Sequence, residues 1–243
     1  MKKTSTLSIF GLLALAFIPF LASSQAQSNP LQGAWKSSSG AGEQVLVFQD
    51  DYTSYTSYNK DQKKFDYTYG GVTSFAGNTL TIQIEFNSAE KDKVGKTLST
   101  KIEISGDKLT THFNGVKQEW TRIDRGDKGL AGCWRINGRW DGSKMNPIKL
   151  SPRKTIKILS STRFQWFAIN TETKEFFGTG GGSYDFENGK YVEHIEFFSR
   201  DSERVGASLS FDAGLKNGEW LHSGLSSKGD PIKETWVRDI LKK

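Results

Sequence analysis

The sequence has one cysteine, five prolines, two methionines and three histidines in 243 residues. The lone cysteine, Cys133, excludes an internal disulfide, so stability has to come from packing. Set between Gly132 and Trp134 at a strand start, it reads as a small buried hydrophobe rather than a reactive thiol. His112, His194 and His222 have no neighbours at ligand spacing, and no metal site is expected. No stretch keeps a helical period for more than about two turns. The glycine run Gly178-Thr179-Gly180-Gly181-Gly182 is not followed by Gly-Lys-Ser/Thr or by a helix, so it reads as a hairpin or barrel corner. No nucleophile elbow or Ser-His-Asp signature is visible, and no cofactor is expected. Basic residues are scattered as Lys63-Lys64, Lys91 to Lys96 and Arg153-Lys154, without interleaved aromatics, which argues against nucleic-acid binding.

Only one long apolar run is present, Leu7 to Leu21. Met1-Lys2-Lys3 precedes it and Ser24-Gln25-Ala26 follows with the small-x-small form that signal peptidase cleaves. Residues 1–26 therefore read as a secretory signal, too short and too well punctuated for a membrane span. No cysteine follows the run, so no lipid or membrane anchor is expected after cleavage. The mature chain is expected to be soluble and exported, periplasmic or secreted. Removing Lys2 and Lys3 lowers its net charge from +6 to +4.

What the sequence does contain is a copy of itself. Gly70-Gly71-Val72-Thr73-Ser74-Phe75 and Leu80 to Phe86 reappear as Gly181-Gly182-Ser183-Tyr184-Asp185-Phe186 and Tyr191 to Phe197, an offset of 181 − 70 = 111. The same step carries Val94-Gly95 onto Val205-Gly206, Val45 and Val47 onto Ile156 and Ile158, and Leu109 onto Trp220. A repeat of this length means two copies of one domain. Gly33-Ala34-Trp35 opens the first copy and Gly132-Cys133-Trp134 the second, at an offset of 99. The difference locates an insertion between Trp134 and Ile156, with the chemistry of a loop. The ends, Trp120-Thr121-Arg122 and Trp236-Val237-Arg238, are offset by 116, which adds a shorter insertion around Ser226 to Ile232. The domains are expected at 30–124 and 130–239. Between them Arg125-Gly126-Asp127 matches an adhesion tripeptide, which a polar linker produces by chance.

Short Val-, Ile-, Thr- and aromatic-rich segments separated by Gly, Asn and Asp turns define an all-β class. Two tandem antiparallel up-and-down β-barrels follow, because sequential short strands must close or pair their edges. Gly-x-Trp on the first strand with Arg on the last, Trp35 with Arg122 and Trp134 with Arg238, resembles the lipocalin or calycin superfamily. In that superfamily the Arg packs across the Trp and closes the barrel end. Tyr191 to Glu196 and Trp220 to Gly224 are similar to lipocalin-like domains, of unassigned function, in exported Bacteroidetes proteins. The resemblance implies a small-molecule ligand and a mouth covered by the loop after the first strand, here Arg139, Trp140 and Asp141.

Alternation in the first copy turns Leu80, Ile82, Ile84 and Phe86 inward. The offset then turns Tyr191, Glu193, Ile195 and Phe197 inward and His194 and Glu196 outward, placing Glu193 where the first copy has Ile82. A buried carboxylate needs a partner. His222, on the face of Trp220, is one candidate, and Arg163 and Tyr184 are others; which of Arg163 and Trp166 points inward is left open by the pattern. Two readings stand side by side. One is a satisfied polar plug in a packed barrel. The other is a polar floor under an aromatic pocket, in which Glu193 and His222 orient a ligand stacked by Trp166, Tyr191 and Trp220. Binding without catalysis leads; an acid-base pair of Glu193 and His222 acting on a sugar-like or carbonyl substrate is the alternative. A structural or partner-binding envelope module is the third. The first copy, with Ile82 and Thr111 at the matching places, is expected to be structural or to hold something more apolar. Oligomeric state is not encoded legibly.

Overall fold

The computed structural model describes residues 29–37, 42–113 and 115–239; the expected signal segment, 1–26, lies outside them. The first eight strands are β1 (Gly33–Ser37), β2 (Glu43–Gln49), β3 (Tyr52–Asn59), β4 (Lys64–Ala76), β5 (Thr79–Asn87), β6 (Thr97–Ser105), β7 (Lys108–Phe113) and β8 (Val116–Asp124). Each pairs antiparallel with the next, and β8 returns to β1 to close a barrel. The second barrel repeats the scheme with β9 (Gly132–Trp140), β11 (Arg153–Leu159), β12 (Arg163–Asn170), β13 (Glu175–Glu187), β14 (Lys190–Phe198), β15 (Ser208–Lys216), β16 (Glu219–Leu225) and β17 (Pro231–Arg238). It is closed by β17 on β9. Closure removes the sheet edges that would otherwise template aggregation.

The insertion is not the loop its composition suggests. β9 runs on to Trp140, and a short β10 (Met145–Pro147) pairs back on it beyond the point where β11 stops. Asp141 explains the turn: its side chain accepts from the backbone of Ser143 at 2.9 Å and Lys144 at 3.0 Å, the local bonding that makes Asp-Gly a hairpin signal.

Both barrels are closed at one end in the same way. Trp35 donates its indole N–H to Leu31 O and Trp134 to Leu130 O, each at 2.8 Å. The Arg122 guanidinium lies 3.8 Å over the Trp35 ring and that of Arg238 4.3 Å over Trp134, a cation–π contact that also seals the base. Gly132 is needed there, since a Cβ would fall 1.4 Å from Arg238 Nη1.

A bulge in β5 and its copy in β14 corrects the expected facing. Gly70 pairs with Phe86 but Gly71 with Ile84, so Glu85 is the extra residue; Gly181, Gly182 and Glu196 repeat this. A bulge shifts the alternation by one residue. Phe86 and Phe197 therefore leave their own barrel interiors and pack in a shared cluster between the barrels. That cluster joins Ala34, Val45 and Val47 to Cys133, Ile156 and Ile158, residues related by the repeat offsets, so the two copies use the same face against each other. Phe86 stacks on Phe167 at 4.2 Å and Tyr58 meets Phe197 at 4.8 Å.

Charge is buried in this junction too. Arg163, at the start of β12, donates to both oxygens of Glu196 at 3.0 and 2.6 Å and to the Tyr58 hydroxyl at 2.7 Å. Glu196, expected to face solvent, faces out of its barrel but into its neighbour. Burial alone would lower the Arg163 pKa, yet Tyr58 and Glu196 raise it above the usual value. Burial alone would raise that of Glu196, but Arg163 and Tyr58 hold it below the ordinary 4.5. The linker is pinned as well: Gln32 and Gln49 both donate to Gly126 O at 2.9 Å, so the Arg-Gly-Asp tripeptide is part of the joint. Replacing Arg163 with Ala leaves a buried carboxylate without its cation. Urea denaturation of the variant should show a loss of about 3–5 kcal/mol, the range for breaking a buried pair from one side, and a loss under 1 kcal/mol would contradict the assignment.

Candidate functional site

The interior of the second barrel departs from the first at two facing positions. Lys157 on β11 and Glu193 on β14 meet at 2.7 Å, with side chains 6% and 5% exposed. Counting back 111 gives Leu46 and Ile82, both fully buried in the first barrel's core. The duplication has thus replaced an aliphatic contact by an ion pair in the same wall positions. Three rings surround the ammonium, with Tyr191, Trp220 and Trp236 centroids at 5.2, 5.2 and 5.3 Å from Nζ. A desolvated cation there is attracted by the ring faces as well as by the carboxylate.

The pair is satisfied, but its surroundings are not. The Trp220 and Trp236 indole N–H groups, the Tyr191 hydroxyl and both ring nitrogens of His222 are buried without a hydrogen-bond partner among the described residues. In the first barrel the equivalent of one of these is satisfied, because Trp120 donates to Thr111 Oγ1 at 3.0 Å and His222 stands where Thr111 would be. Most buried side-chain polar groups are bonded, so five such atoms around one charge pair leave hydrogen-bonding capacity that the surrounding side chains do not use. Burial and the Glu193 carboxylate push the Tyr191 hydroxyl well above its usual range, so it stays a donor.

His222 and Glu234 face each other across β16 and β17 at 3.6 Å, longer than a hydrogen bond. Burial and the Lys157 charge lower the His222 pKa below 6.5, so its ring is neutral at pH 7 and offers one donor and one acceptor. Burial alone would raise the Glu234 carboxyl, but the His222 ring and Arg139, 2.9 Å away, hold it below 4.5. A pocket of about 290 Å³ lies beside His222 and Glu234, with Met145, Ala213 and Lys233 in its wall.

The structure gathers some of the candidates and disperses others. Glu193, His222, Tyr191 and Trp220 come together in one cluster. Trp166 faces the same interior, stacked edge to face on Phe198 at 5.5 Å. Tyr184 is in that core, but its hydroxyl is committed to Ser160 O at 2.7 Å. Arg163 is not in the barrel at all: it lies an odd number of residues from Trp166 on one strand, so it takes the opposite face and joins the interface. Arg139 bonds Glu234, while Trp140 is 38% exposed and Asp141 caps its turn. Lys157, Trp236 and Glu234 were missed. The 111 offset would have found Lys157, whose counterpart Leu46 is as buried as Ile82. Among the described residues no group of three or more His, Cys, Asp or Glu side chains could hold a metal ion.

Fold and site together define a tandem of eight-stranded antiparallel barrels, one with an aliphatic core and one with a charged, polar-lined core. Residues 129–243, which take in the second barrel, match the family described as a domain of unknown function, DUF4488. No curated protein matches the chain.

Lys157→Met or Glu193→Leu alone should each cost about 3–5 kcal/mol, and the double replacement should recover most of that loss, as for buried pairs exchanged for apolar groups. Calorimetric melting of the three variants checks this; additive losses would show that the two residues do not act as a pair. The pH dependence follows from two depressed pKa values. At His222 the unfolded chain binds the proton more readily, so stability is complete above pH 6.5 and falls as pH drops toward the lower folded value; Glu234 adds a second loss below 4.5. His222→Phe should remove the first step in melting temperature and shrink the second, because the ring it deletes helps to hold Glu234 low; an unchanged first step would contradict this.

Proposed function

We propose that the protein is an exported lipocalin-like binder whose second barrel holds a small polar organic molecule without catalysing its conversion. The observation that carries the reading is the group of five buried, unpartnered polar atoms around Lys157 and Glu193. Most of these are donors, so a ligand rich in acceptor oxygens, such as a sugar or a small carbonyl compound, suits them. Tyr191, Trp220 and Trp236 supply the flat apolar surface that such ligands stack on. The pocket at His222 and Glu234 is the proposed entrance, and the β9–β10 hairpin flanks it through Met145 and Arg139.

Acid-base catalysis suits the site less well. The Glu193 carboxylate bonds an ammonium and His222 stands against Glu234, so neither has the other as its partner in a proton relay. Export rests on the apolar run and its flanks, and a small-molecule partner rests on the unpartnered polar atoms and the pocket beside His222.

The indole N–H signals of Trp220 and Trp236, followed by NMR while xylose, glucose, acetate and pyruvate are titrated in turn, test the reading. At least one compound should shift both signals, the shift should be lost in His222→Phe, and Glu193→Gln should keep a folded protein. If none of the four moves either indole signal, the reading fails; turnover of a bound compound would replace it with the catalytic one.

A further inference from the structure

The two barrels also differ at the end where β3 meets β4 and β5 runs out toward β6. In the second barrel this mouth is plugged by Trp166 and Phe198. Gly180, paired with both, has no room for a side chain, because a Cβ would lie 2.8 Å from each of their side chains. Counting back 111 puts Tyr55, Asn87 and Tyr69 at these three places, in the same pairing. A short amide therefore stands where the plug has a phenyl ring. The first barrel opens there into a pocket of about 500 Å³, within the range that takes small organic ligands.

The pocket is layered. Tyr55 stacks on Tyr69 at 4.9 Å and lies 5.3 Å from Tyr67, which is the outermost and 37% exposed. Ile84, Leu98 and Phe113 continue the wall in apolar surface. Above it, Lys93 and Lys96 reach the rim, with Glu90 the one carboxylate among the lining residues. The segment carrying the lysines is tied down: Gly95 donates to Ile84 O at 2.8 Å, Ile84 donates to Lys96 O at 2.9 Å, and Val94 is buried. The ammonium groups themselves are held loosely, Lys93 by Glu90 at 3.6 Å and Lys96 by Asp92 at 3.5 Å, all well exposed. Pairs of that kind contribute little, so they yield readily to a ligand's anionic group. In the second barrel the matching residues are Arg204, bonded to Asp201 at 3.0 Å, and Ala207; the plug and the loss of free cationic rim go together.

We propose that the mouth of the first barrel is a separate binding site for a flat organic anion, an aromatic ring bearing a carboxylate. The ring lies against the tyrosine wall and the carboxylate meets Lys93 and Lys96. This replaces the expectation that the first copy is structural or holds something more apolar, and it does not depend on the reading of the second barrel.

Isothermal titration of the full chain with cinnamate and with cinnamyl alcohol tests it, since the two share a body and differ in charge. Cinnamate should bind about tenfold more tightly, the scale of one charge-assisted contact. The exposed pair Lys93→Gln and Lys96→Gln should erase that preference without weakening the alcohol, and Tyr67→Ser should weaken both. His222→Phe should leave cinnamate affinity unchanged, which separates this site from the second barrel. Undetectable cinnamate binding, equal binding of the two compounds, or a cinnamate affinity that responds to His222 and not to the lysines would each overturn the proposal.

Discussion

An ion pair set inside a small β-barrel governs the rest of this structure. Lys157 and Glu193 occupy two wall positions that the sister copy gives to Leu46 and Ile82. Taking both charges out of water is costly, and their attraction offsets that cost only with good geometry and further polar contacts. The contact is short, and three aromatic rings close around the ammonium. Yet the same rings bring indole and phenol donors that no side chain or backbone group among the described residues satisfies. A barrel that needed only to be stable would keep the aliphatic pair, as the first one does.

Duplication made this divergence affordable. The two copies pack through the same face, with Val45 and Val47 against the region of Ile156 and Ile158, and the bulges at Glu85 and Glu196 turn Phe86 and Phe197 into the joint. The bulges need glycine: a Cβ on Gly71 or Gly182 would sit 1.9 or 2.0 Å from a carbonyl oxygen of the paired strand. The same shift in alternation sends Asn87 and Phe198 to the mouths of their barrels. One local irregularity therefore builds the interface and brings position 87 or 198 to the mouth, where asparagine leaves it open and phenylalanine fills it.

Much of the architecture was legible because the repeat turns one sequence into two readings of the same fold. The two-barrel plan and the burial of Glu193, His222, Tyr191 and Trp220 follow from offsets and alternation, and the closure by Trp and Arg from the resemblance to lipocalins. What alternation could not carry was the bulge, since one extra residue reverses every facing after it. That is why Phe86 and Phe197 were assigned to the barrel interiors; Glu196 was rightly turned outward, but its outer face is covered by the other barrel, where Tyr58 bonds it. Arg163 was ambiguous for another reason: nothing in a single strand's pattern says that its outer face is covered by a second barrel. Lys157 escaped notice between Ile156 and Ile158 because a lysine there reads as the solvent side of a strand, and only its counterpart Leu46 reveals the opposite.

The central claim is that the second barrel encloses a polar chamber rather than a dry core. A crystal structure at high resolution decides it through the electron density between Trp220, Trp236 and His222. The account predicts ordered solvent or a bound molecule within hydrogen-bond distance of both indole nitrogens. Featureless density there, with the rings packed against one another and their donors left unpaired, would contradict it.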